Sequence, residues 1–123
     1  MTLTHLSDKL DLLDTKTLAA LLDVTPDWLR RNRKSDNPIP YRVIGRRSIR
    51  YTKLDVLEWV GRKDLILKFY STKTLAQKLS FSESWLNHNR LSDHPIPFRR
   101  FGGLVRYNET EVRGWIKKSE FFE

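Results

Sequence analysis

The sequence predicts an α+β protein, mainly α, made of two tandem modules of helix, helix, β-hairpin and helix. Three observations carry this. Thr15-Lys16-Thr17-Leu18-Ala19 returns as Thr72-Lys73-Thr74-Leu75-Ala76, and Ser35-Asp36-Asn37-Pro38-Ile39-Pro40 returns as Ser92-Asp93-His94-Pro95-Ile96-Pro97. Trp28-Leu29, Asn32-Arg33, Gly45, Arg50-Tyr51 and Trp59 find partners in Trp85-Leu86, Asn89-Arg90, Gly102, Arg106-Tyr107 and Trp115, in the same order, with one residue dropped from the second turn. Helix starts, proline breaks and glycine turns recur at the same places in both copies. The chain is a tandem duplication, with modules at 10–60 and 67–117 and a short linker at 61–66.

Within each module the elements are read in turn. Met1–Lys9 is polar with scattered leucines, a loose lead-in. Leu10-Asp11-Leu12-Leu13-Asp14 matches Leu67-Lys68-Phe69-Tyr70-Ser71, and its apolar residues are expected to close the core. Thr15 reads as the N-cap of a short helix with Leu18, Ala19 and Leu22 inward; Thr72, Leu75, Ala76 and Leu79 take those parts in the second copy. Asp23-Val24-Thr25 breaks that helix. Thr25-Pro26-Asp27 restarts it with a capping hydroxyl, a proline at the first helical position and an acid near the positive end. Ser82-Glu83-Ser84 restarts the second copy.

Two short helices joined by a three-residue turn make a helix-turn-helix. The second of them, from Pro26 to about Arg33 and from Glu83 to about Arg90, is its expected recognition helix. The prolines after Asn37 end it, because a residue before proline is pushed into extended geometry. Tyr41–Ile44 and Ile49–Tyr51, then Phe98–Phe101 and Leu104–Tyr107, are β-prone runs about glycine turns, and each pair forms a hairpin wing. Thr52-Lys53-Leu54-Asp55 and Asn108-Glu109-Thr110-Glu111 open a last helix with capping-box outlines. Trp59 and Trp115 are expected in the core. For Trp28 and Trp85, packing is preferred over stacking on a ligand.

Composition bounds the function. Each module is near the lower size at which a core holds alone. Cysteine is absent, which removes disulfides and thiolate metal sites, and His5, His88 and His94 lack metal-ligand spacing. No apolar run is long enough for a bilayer and no signal-peptide pattern appears, so the expectation is a soluble intracellular protein. No Ser/His/Asp set recurs, and no glycine loop of the phosphate-cradling kind is present. An enzyme is not expected, nor a cofactor. The net charge of +8 and pI near 10.0 point to a polyanionic partner.

The charge is clustered. Asp27, Arg30, Arg31, Arg33 and Lys34 lie on or beside the first recognition helix; Ser84, Asn87, His88 and Arg90 lie on the second. Arg42, Arg46, Arg47 and Arg50 fall in the first wing, and Arg99, Arg100 and Arg106 in the second. Thr15, Lys16, Thr25, Thr72, Lys73 and Ser82 stand at helix starts as further backbone contacts. Phosphates call for lysine and arginine, and base edges call for side chains that fork or donate. The bland alternative is a solvated basic face. Where the copies agree, as at Trp28/Trp85 and Arg50/Arg106, a scaffold or shared phosphate role fits. Where they differ, as at Arg30-Arg31 against Asn87-His88, base reading fits, since arginine suits guanine and asparagine suits adenine.

The Thr-Lys-Thr-Leu-Ala opening, Val24-Thr25 at the turn, the proline step, the Ile44-Gly45 … Ile49-Arg50-Tyr51 wing and Asp55-Val56 … Trp59 together resemble the winged helix-turn-helix of the MerR superfamily. The likeness is greatest to the small excisionase and AlpA-type modules of mobile genetic elements, and it covers both copies. It implies a sequence-specific double-stranded DNA-binding protein, an excisionase-like directionality factor or a transcription regulator, bacterial or phage-encoded, cytoplasmic and nucleoid-associated. A plasmid-partition or origin-binding protein also fits. An integrase or RNA polymerase is a candidate partner, and the chain is expected as a monomer or cooperative on DNA. The short linker gives the modules an effective concentration on the order of mM, and direct repeats about one helical turn apart are the expected site. A reading of another class is a protein-interaction adaptor with at most one module on DNA. Phe121-Phe122 is left over as a tail that could bind a partner.

Overall fold

The computed structural model describes residues 12–119. The chain divides into two compact units, 1–64 and 65–123, and each is α+β with more helix than strand. The first unit runs β1 (Leu12–Leu13), α1 (Thr15–Leu22), α2 (Pro26–Asn32), β2 (Arg42–Ile44), β3 (Ser48–Thr52) and α3 (Lys53–Val60). The second repeats the order as β4 (Phe69–Tyr70), α4 (Thr72–Leu79), α5 (Glu83–Asn89), β5 (Arg99–Phe101), β6 (Leu104–Asn108) and α6 (Glu109–Lys118).

Each unit holds a three-stranded antiparallel sheet with the last strand in the middle, ordered β1-β3-β2 and β4-β6-β5. The hairpin registers are Val43↔Ile49 and Arg100↔Val105, closed by turns in which Gly45 and Gly102 have φ of 67° and 62°. Those left-handed values favour residues without a Cβ. The third strand departs from the expectation for 10–14. Leu12 and Leu13 pair with Thr52 and Tyr51, so this segment forms a sheet edge and does more than cap the core. Leu10 and Asp11 lie outside the described residues, as do the lead-in before them and Phe121-Phe122.

The helix starts shift by one residue from the sequence reading. Asp14, not Thr15, caps α1 by accepting the Thr17 N–H at 2.8 Å, and Ser71, not Thr72, caps α4 by accepting from Thr74 at 3.1 Å. Thr25 and Ser82 do cap α2 and α5, each accepting an N–H at 3.0 Å. Thr52 and Asn108 cap α3 and α6. The linker is shorter than 61–66. The Ile66 N–H donates to Thr110 Oγ1 at 2.9 Å and its carbonyl accepts from Asn108 Nδ2 at 2.7 Å, so Ile66 belongs to the second unit.

The cores form from the predicted stripes. Leu18, Leu22, Leu29, Ile39, Tyr51 and Val56 are fully buried in the first unit; Leu75, Leu86, Ile96 and Tyr107 are buried in the second, with Val112 beside them. Trp59 and Trp115 are half-buried rather than deep in the core. Their indole N–H groups donate to the Asn37 and His94 carbonyls at 3.1 and 3.2 Å, which ties the last helix to the proline step. Trp28 is half-buried. Trp85 is 37% exposed and stacks on Phe81 with centroids 4.0 Å apart, so it does not pack into the core.

Candidate functional site

In the first unit, the start of α1, helix α2 and the β2–β3 turn converge. Leu29 anchors α2 in the core with no exposed surface, which turns Arg30 and Arg31 outward. Pro26 fits the first helical position because it has no N–H to satisfy. The result is a groove of about 490 Å³ lined by Asp14, Thr15, Lys16, Pro26, Arg30, Arg47, Ser48, Ile49 and Arg50. Four cations face one concave surface, with the Asp14 carboxylate among them. Asp14 is held below its ordinary value chiefly by its hydrogen bonds from Thr17, with help from the charges of Arg50 and Lys16.

The remaining candidates divide by what their side chains already touch. Asp27 accepts from Arg30 Nη1 at 2.8 Å and lies 3.8 Å from Arg31, all three side chains well exposed. Exposed pairs of this kind are worth at most about 1 kcal/mol, so both arginines can exchange Asp27 for another anion. Lys34, Arg46 and Arg47 are exposed. Arg33 is turned inward: its Nη1 donates to Tyr51 Oη at 2.9 Å and to Thr15 Oγ1 at 3.3 Å. Arg90 repeats this on Tyr107 and Thr72 at 2.6 and 3.2 Å. These arginines brace α2 and α5 against the sheet. Arg42 donates to Asp55 at 3.0 Å, and Arg99 forks onto Glu111 at 3.1 and 2.7 Å, so they brace the hairpins against α3 and α6. Arg50 and Arg106 donate to the Ile49 and Val105 carbonyls, and Arg106 is 9% exposed.

The second unit differs at the groove positions. Glu83 stands where Pro26 stands, Asn87 replaces Arg30, His88 replaces Arg31, and the two-residue turn Gly102-Gly103 has no arginine. Lys73 and Arg100 are exposed, with Arg100 over the Phe98 ring at 5.5 Å. Ser84, Asn87 and His88 are exposed on α5.

Comparison with protein-family models, curated proteins and solved structures finds no match.

Three features were not anticipated from the sequence. Asp14 and Ser48 line the groove; the capping residue types Asp14 and Ser71, placed just before each Thr-Lys-Thr, were a usable signal. Phe81 joins Trp85 on the surface, and nothing in its counterpart Val24 announced it. Tyr70 donates to Glu109 at 2.5 Å beside a 240 Å³ pocket that also includes Lys78 and Arg113. Burial, then the Glu109 hydrogen bond, pushes the Tyr70 phenol up to about 12, while that same bond and Arg113 hold Glu109 below its usual range. Among the described residues no three His, Cys, Asp or Glu side chains cluster as a metal site, and no helix is long and apolar enough to cross a membrane.

Proposed function

We propose that the chain is a sequence-specific double-stranded DNA-binding protein of a mobile genetic element, each unit a winged helix-turn-helix of the MerR-superfamily, excisionase- and AlpA-like kind. One observation carries the reading: Lys16, Arg30, Arg47 and Arg50 share a groove between the start of α1, helix α2 and the hairpin turn. A concave surface with four cations suits a phosphate backbone, and exposed Arg31 beside it suits a base edge. The helices α2 and α5 are the readers in this scheme, and the β2–β3 and β5–β6 turns are the wings. The two units address two adjacent half-sites, and the biological role is excision or transcriptional control.

The experiment is a binding titration over a salt series, with the element's own upstream duplex against a scrambled one. Wild type should bind with a log–log salt slope of several. Arg47→Ala should flatten it by about 0.9, the value for one lost phosphate contact. Arg31→Ala should cost about 1–3 kcal/mol on the specific duplex alone. Equal, salt-insensitive affinity for both duplexes would end the DNA reading. A bend in the bound duplex would favour excision over promoter control.

One observation favours a second reading for the second unit. Phe81 and Trp85 form an exposed stacked pair, and Leu91 nearby in sequence is 85% exposed. An adaptor that holds DNA with the first unit and a protein with the second would present such a face. Phe81→Ser that leaves DNA binding intact but abolishes partner recruitment would support it.

A further inference from the structure

His88 occupies on α5 the position that Arg31 occupies on α2. Its Nδ1 lies 2.8 Å from the Ser84 carbonyl oxygen and 3.5 Å from Ser84 Oγ. A carbonyl only accepts, so the proton of the neutral ring must sit on Nδ1. The exposed Nε2 then carries a lone pair and makes no bond to any described residue. Next to it, Asn87 Oδ1 accepts from Arg90 Nη2, which fixes the amide with its Nδ2 donors free. Helix α5 therefore shows a donor beside an acceptor where α2 shows two permanent donors.

Resting on the DNA-binding proposal above, we infer that His88 is a specificity-determining residue whose preferred base changes with its protonation. Neutral His88 accepts at Nε2 and pairs with an exocyclic amino group, on adenine N6 or cytosine N4. Protonated His88 donates at Nε2 and pairs with guanine O6 or N7, as an arginine does. The Ser84 carbonyl keeps Nδ1 as the donor in both states, so a single nitrogen changes role. The charged and titratable groups on the neighbouring elements are Glu83 and Arg90 at the ends of α5, Lys73 and Lys78 on α4, which packs on α5, and Asp93 and His94 in the loop that follows. None of these has a hydrogen bond or ion pair to the imidazole.

The test uses the full chain and a duplex library randomised over the second half-site, selected at about pH 8 and about pH 5.5, on either side of the range in which histidine titrates. Wild type should favour A or C at one position at the higher pH and G there at the lower, each by about tenfold. His88→Arg should select G at both, and His88→Gln should lose the pH dependence. Long-range proton–nitrogen NMR at the higher pH should show His88 protonated at Nδ1. An Nε2-protonated ring, or a wild-type base preference unmoved by pH, overturns the inference and leaves DNA reading standing. Recovery of no sequence by any variant at either pH overturns the DNA reading, and this inference with it, whatever the NMR shows.

Discussion

A single carboxamide closes the corner after each second helix. Asn32 Oδ1 accepts the Ile39 N–H at 2.9 Å, and Asn89 Oδ1 accepts the Ile96 N–H at the same distance. Both isoleucines are fully buried, so no water stands ready to replace the bond. Asn89→Ala should therefore cost about 1–3 kcal/mol, the penalty for an orphaned buried donor, while Asn89→Asp, which keeps an acceptor, should cost less; urea unfolding measures both. Tyr70 is the other residue with a consequence for stability. Its phenol is raised to about 12 by burial and by Glu109. An acid whose folded value lies above its unfolded value of about 10 stabilises fully below the unfolded value and loses that contribution as pH rises through the folded one. Stability should thus fall between about pH 10 and 12, and Tyr70→Phe should remove that part of the fall in an alkaline denaturation series. Glu109 is lowered, so its contribution is complete above the ordinary carboxylate range and is lost as pH falls through its depressed value. The asparagines were legible as shared letters of the duplication; the Tyr70–Glu109 pair was not, because Leu13 and Lys53 stand at those positions in the first copy.

Helices α1 and α4 both end in a left-handed residue that is not glycine: Asp23 has φ 56° and Ser80 φ 59°. That conformation costs an L-residue roughly 1–2 kcal/mol. Glycine would remove the strain but adds freedom to the unfolded chain worth about 0.4–1 kcal/mol. Strain is the larger of the two, so Ser80→Gly should stabilise the second unit by about 0.5–1 kcal/mol in thermal unfolding. Gly61, with φ 101°, already ends α3 in this way. The helices, hairpins and cap residue types were readable because period and capping chemistry are local. Strands β1 and β4 were not. Two residues such as Leu12-Leu13 cannot display alternation, and their partner strand lies about 40 positions away. The N-caps slipped by one because Asp14-Thr15 and Ser71-Thr72 each offer two adjacent capping side chains, and only the backbone angles choose between them.

Net charge does not separate the units. Residues 1–64 hold 13 basic against 9 acidic side chains and residues 65–123 hold 10 against 6, a net +4 in each. Placement separates them. The basic residues of the candidate site could be read from the sequence, but which of them were already occupied could not. Arg33, Arg42, Arg90 and Arg99 are bound to tyrosines and carboxylates 12 to 18 positions away, contacts that exist only after folding. Arg30, with Lys16, Arg47 and Arg50 in one groove, has no equivalent on α5, where Asn87 stands and Glu83 replaces the proline at the helix start. The contrast makes a sharper prediction than total charge does. On the DNA-binding proposal, Arg30→Asn should flatten the salt slope by about 0.9. Glu83→Pro with Asn87→Arg, which gives α5 the residues of α2 at these two positions, should steepen it by about the same amount or more, since a contact is gained and a carboxylate lost. Lys117→Ala removes one charge from the far end of α6 and tests the competing idea that total charge alone sets the affinity. On the placement argument it leaves the slope near wild type, and a flattening equal to that of Arg30→Asn would return the binding to non-specific attraction.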